Sequence, residues 1–195
     1  MSGRVARPGR TRPQHRRRCD LDPHALRPCR DVPPLPGVAV SSAGSRIALH
    51  DRPPYAPPFL ARSFEVEDVV GIVRLNFAQR VKLYNGPVEL APGISIHPVG
   101  GHTPGMQFVR VHTSRGWVVL ASDVSHYYEN MEAGRPFTAA FHIGDMLDAY
   151  DTLRAHAPSP QHIVPGHDPL VMRRYPPARP ELEGIVVRLD VMPRD

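Results

Sequence analysis

A chain of 195 residues with a formal charge of +5 is long enough for one domain with a sizeable core, or for most of a larger one. The charge is uneven: residues 1–30 hold nine arginines against Asp20 and Asp22, a local +7, which leaves about −2 for the rest by subtraction. Basicity therefore belongs to a leader and does not make the core a nucleic-acid binder, and no apolar run is long enough to span a membrane.

Residues 1–58 are rich in arginine and proline. Prolines at 8, 13, 23, 28, 33, 34, 36, 53, 54, 57 and 58 interrupt any regular element, and Val38-Ala39-Val40 and Ile47-Ala48-Leu49 are the only short apolar runs. The leader is expected to be disordered. The chain has 23 arginines and one lysine, Lys82, a bias expected of GC-rich coding DNA, so the leader also reads as the translation of a shifted reading frame. No apolar h-region follows the arginines, which argues against a secretory signal and for the cytoplasm as the default location. Cys19 and Cys29 lie near His15 and His24, but their order and spacing match no zinc-finger pattern, so unpaired surface thiols are expected. No aromatics interleave with Arg16-Arg17-Arg18, which weakens a nucleic-acid role further.

From Phe59 the patterning changes. Residues 64–73 mix acidic and apolar side chains, with Asp68 placed to open a helix or turn into Val69. Val81-Lys82-Leu83-Tyr84 alternates, Asn85-Gly86-Pro87 gives a turn, and Val88-Glu89-Leu90 begins another strand, a meander leading to His102.

The alternating runs 94–99 and 107–112 flank Gly100-Gly101-His102-Thr103-Pro104-Gly105, which reads as a strand–loop–strand unit. Glycines permit positive φ and Pro104 stiffens the exit, so the imidazole of His102 is held out from a tight loop. Trp117 to Ala121 is a nearly continuous apolar run, hence a buried strand, ending at Ser122-Asp123. Residues 161–168 form a short strand ending at Gly166-His167. His102, Asp123 and His167 thus each follow a hydrophobic strand, and imidazole with carboxylate suits zinc and similar divalent ions.

After Asp123 the chain loops through His126-Tyr127-Tyr128 into an amphipathic helix, with Ile143, Met146, Leu147, Tyr150 and Leu153 at helical spacing and Met146 and Tyr150 in the core. Ala157-Pro158-Ser159-Pro160 stops it, and residues 184–191 are expected to form a last strand. His97 and His112 read as strand-surface or satisfied core residues, and His142, His156 and His162 as surface positions.

GGHTPG, the strand end Ser122-Asp123 and Pro165-Gly166-His167 resemble three metal motifs of the metallo-β-lactamase-fold hydrolases. The text from Leu120 to Asn130, with Arg135-Pro136-Phe137 following, is most similar to the N-acyl-homoserine lactonase branch. The likeness runs from about Phe59 to the C-terminus. It implies an α/β (α+β) fold, the αββα sandwich, of which a partial domain at 59–195 carries mainly the C-terminal half. It also implies two zinc ions, with His102 on the first, Asp123 bridging both and His167 on the second. The implied activity is a quorum-quenching opening of a lactone by metal-activated hydroxide, with Tyr127 or His126 as the donor to the oxyanion. Expected partners are a small lactone or ester and, at most, a second copy of the chain.

The family signature His-x-His-x-Asp-His, the source of four further ligands, does not occur in the sequence. Without it each zinc keeps one histidine and a share of Asp123, against the three protein ligands of a catalytic zinc. Alternatives stay open: the same fold acting on another ester, a thioester, a phosphodiester or a β-lactam, since these motifs do not encode specificity, or a non-catalytic remnant.

Overall fold

The computed structural model describes residues 40–43 and 65–194. The expectations for Cys19, Cys29, His15, His24 and the rest of the leader lie outside the described residues, apart from 40–43. Those four, within the stretch expected to lack regular structure, form strand β1 (Val40–Ala43), which pairs in parallel with β2 (Val81–Tyr84).

A five-stranded mixed sheet carries the remainder. Its strands are β3 (Val88–Ala91), β4 (Ile94–Val99), β5 (Met106–Thr113), β6 (Gly116–Ser122) and β7 (Ile163–Pro165), in the spatial order of the chain. Neighbours from β3 to β6 are antiparallel, with Ile96 opposite Val109 and Val111 opposite Val118. β7 joins β6 in parallel, Leu120 opposite Val164, so the chain between them must cross over one face of the sheet. The meander expectation holds from β3 onward; β2 pairs with β1 instead of continuing it.

The crossover contains α2 (Tyr128–Glu132) and α3 (Ile143–His156). α3 buries Met146, Ala149, Tyr150 and Leu153 against Phe108, Val119 and Ala121 of the sheet. That stripe sits further along the helix than the expected one: Ile143 is 61% exposed and Leu147 is also exposed, while small Ala149 takes the inward position. The other face of β6 meets Val164 and Tyr175, with Leu120, Val187, Leu189 and Val191 packed alongside. Cover on both faces explains why β6 reads as an unbroken apolar run.

Two expected elements differ. Residues 184–191 form no strand; Val187 makes a single antiparallel bridge to Pro177. The tail is held by Arg115, which donates from Nε to the Leu189 carbonyl (2.8 Å) and from Nη2 to the Tyr175 hydroxyl (3.0 Å), and by Ser114 Oγ donating to the Asp190 carbonyl (2.7 Å). The other is α1 (Val66–Phe77), which starts at the Glu65 cap, so Asp68 lies in its first turn, where a carboxylate favours the positive end of the helix dipole. His162 also departs from expectation: it is buried, with its ring nitrogens satisfied by Ser159 Oγ (2.8 Å) and the Arg115 carbonyl (3.0 Å). Among the described residues no helix is long and apolar enough to cross a membrane.

Candidate metal centre

The ends of β6 and β7 lie side by side, and a short turn after each carries the site. Ser122 has φ +50°, the left-handed region that non-glycine residues rarely occupy, and it turns the backbone sharply just before Asp123. Backbone bonds from Val124 to Ala121 (3.1 Å) and from Ser125 to Ser122 (3.4 Å) close this turn. The β7 turn is stitched to it: Gly166 N donates to Ser125 O and His167 N to His126 O, both at 3.0 Å. Gly166 is required by proximity, because a Cβ there would stand 2.6 Å from the Ser122 carbonyl oxygen.

This stitching brings Asp123, His126 and His167 together, with one ligand atom from each lying within 4.8 Å of the others. His167 Nε2 is 2.6 Å and His126 Nε2 3.5 Å from Asp123 Oδ1. The Asp123 carboxyl is held well below the usual carboxylate range, chiefly by the hydrogen bond with His126 and then by that with His167 and the charge of His102; partial burial opposes them and loses. The surroundings thus favour the ionised form of the carboxylate.

Aromatic packing fixes the rings. Phe137 stacks on His126, centroids 3.5 Å apart and planes 9° from parallel, and the His167 ring meets His126 edge-on at 4.5 Å. His102 stands next to this group, its ring 5.4 Å from Phe137 and 5.9 Å from His126. Its Nδ1 is 2.5 Å from the Ala139 carbonyl oxygen, so Nδ1–H donates to that carbonyl and Nε2 is the ring nitrogen left for another partner. Gly101, at φ +106°, lets the loop lie against α3: a Cβ would stand 2.8 Å from Met146 Cα, and the Gly101 carbonyl accepts from the backbone N–H groups of Phe141 and His142.

The structure thus places His102, Asp123 and His167 around one spot, with His126 inside the tightest group and Tyr127 exposed at its rim, ring centroid 6.4 Å from that of His126. His126 follows Asp123 by three residues in a turn, a spacing that could have marked it as a ligand from sequence. Asp168 was not singled out by sequence reasoning. It is buried and accepts from Tyr128 N and Leu170 N, both at 2.9 Å, tying the start of α2 to the β7 turn.

Two imidazoles and an ionised carboxylate suit a zinc-like divalent ion, so the residues present fit a metal. An N-acyl homoserine lactonase from a Bacillus species is 39% identical over 57 residues, 29% of this chain and 23% of that protein. The chain is similar to N-acyl-homoserine lactonases. Among solved structures, an N-acyl homoserine lactone hydrolase with N-hexanoyl-L-homoserine at its catalytic metal centre is 29% identical, covering 48% of this chain and 38% of that one, at a TM-score of 0.42. AidC, a dizinc quorum-quenching lactonase, is 14% identical over 58% of this chain and 39% of its own, at a TM-score of 0.45. No family model matches the chain. The chain spans about a quarter of the curated lactonase and well under half of the solved ones.

Proposed function

We propose that this chain carries the metal-holding part of a hydrolase of the metallo-β-lactamase fold that opens N-acyl-homoserine lactones. The observation that carries the reading is the meeting of Asp123, His126 and His167 at the ends of β6 and β7, beside the Gly-Gly-His loop. The local identity with a lactonase supports the choice of substrate class.

Asp123, His126 and His167 would hold the ion, with His102 beside them. When bound, the ion supplies Lewis acidity towards a carbonyl oxygen and towards water. The rest falls to the chain. Asp123 stays ionised because the imidazoles favour its charged form, so it is a ready ligand near neutral pH. Phe137 forms an apolar wall that keeps the His126 ring in one orientation and shields one side of the site from water. Because His126 Nε2 faces Asp123, the donor to a developing oxyanion is the Tyr127 phenol, exposed at the rim. Asp168 acts through the backbone, keeping the two turns in register.

The test is turnover by the purified full chain with zinc supplied, against a panel of an N-acyl-homoserine lactone, a thioester, a phosphodiester and a β-lactam. Lactone opening that falls about 100-fold or more in Asp123→Ala is the expected result. Metal-loaded protein that turns over none of the panel would mark a non-catalytic remnant, and turnover of a different class would move the substrate.

A further inference from the structure

We propose that the described residues form a site for a single divalent ion, in which His126 is a metal ligand alongside Asp123 and His167, and His102 is not. The proposal deepens the hydrolase reading and rests on it for the presence of a metal; the number and identity of the ligands are its own content.

The argument is one of donor supply. A catalytic zinc takes three protein ligands and keeps one position open. Among the described residues there is one group of three or more histidine, cysteine, aspartate or glutamate side chains close enough to share an ion, and it consists of Asp123, His126 and His167. Among the described residues beside this group, a second ion would be left with His102 and a shared oxygen of Asp123. His102 stands outside that group: its ring centroid is 5.9 Å from that of His126, and the ring packs beside Phe137 instead.

His126 is built in as firmly as the other two. It leaves Asp123 by three residues within a turn pinned at both ends, since Ser125 Oγ donates to the Tyr127 carbonyl (2.8 Å) and the His126 carbonyl accepts from His167 N. Its side chain is only 15% exposed and packs against both Phe137 and His167, with Nε2 3.5 Å from the same carboxylate oxygen that His167 meets. Two imidazole nitrogens converging on one oxygen is how ligands gather when a proton stands where a cation would. Asp123 would then be a terminal ligand rather than a bridge between two ions.

The test uses the full chain stripped of metal and titrated with cobalt(II), followed by metal analysis after gel filtration and by the visible spectrum. Wild type is expected to retain one equivalent. His126→Gln is expected to weaken cobalt binding by about 100-fold or more, whereas His102→Gln keeps one equivalent with an unchanged spectrum. His126→Cys guards against simple misfolding: it should recover binding and add a sulfur-to-cobalt charge-transfer band absent from wild type, which no purely structural role for His126 would produce. Two equivalents in wild type, or loss of the ion in His102→Gln with retention in His126→Gln, would overturn this ligand set and leave the hydrolase reading standing. Absence of any bound ion, with no lactone turnover, would overturn both.

Discussion

Helices α1 and α3 look alike in sequence and behave in opposite ways. α1 is the richer in apolar residues, with Val66, Val69, Val70, Ile72, Val73, Leu75 and Phe77, yet it buries none; Phe77 is 85% and Val66 74% exposed. α3 buries four side chains against the sheet and, through its first turn, supports the Gly-Gly-His loop. An amphipathic pattern announces a face, but only tertiary contact supplies the surface that removes it from water. The part of the chain holding the candidate metal centre has such a surface, and α1 lacks one among the described residues.

The largest effect expected from this contrast is at Leu153. Leu153→Ala removes a fully buried side chain and should cost about 2–5 kcal/mol in chemical denaturation. Phe77→Ala, on the exposed helix, should stay within about 0.5 kcal/mol. A loss of several kcal/mol at Phe77 would break the comparison by showing that α1 is covered in solution.

Gly101→Ala should come next, at about 2–3 kcal/mol, because its Cβ meets Met146 backbone on α3 as well as an unfavourable φ. Gly116→Ala is the matched control. It has φ +96° but open space around it, so it should cost about 1–2 kcal/mol from backbone conformation alone. Equal losses would mean that the close approach of loop and helix contributes nothing.

Much of the site was legible because His102, Asp123 and His167 each follow an apolar strand and a turn. The loop at 100–105, the end of β6 at Asp123 and the end of β7 at His167 all fall where alternation or burial of the strand stops. The place of His126 was harder to see. It depends on the left-handed backbone at Ser122 and on stacking with Phe137, eleven residues further on, neither of which periodicity reports. The stripe on α3 was legible in period but not in phase, since spacings counted from Ile143 and from Met146 both fit a helix and only the sheet chooses between them. The buried His162 escaped for a similar reason: one of its partners is a carbonyl 47 residues away, on the loop after β5.

The smallest expected effect concerns pH. Burial, followed by the charges of His156 and Arg110, holds the His97 imidazole below its ordinary value of 6.5, where it stacks on Phe108. The unfolded chain then binds a proton more readily than the folded one, so His97 should contribute to stability above about pH 6.5 and lose that contribution as pH falls towards its folded value. Denaturation midpoints measured from pH 7.5 downward should decline less in His97→Gln than in wild type. An unchanged slope would show that the ring is no less solvated than in the unfolded chain.

The central claim is that a metal sits at the joined ends of β6 and β7, held by nitrogen and oxygen alone. X-ray absorption at the zinc edge of the loaded full chain tests it directly. The account predicts a shell of nitrogen and oxygen scatterers at about 2.0–2.1 Å with the outer-shell signature of two imidazoles. Sulfur scattering at about 2.3 Å, which would place the zinc on Cys19 or Cys29, would contradict it.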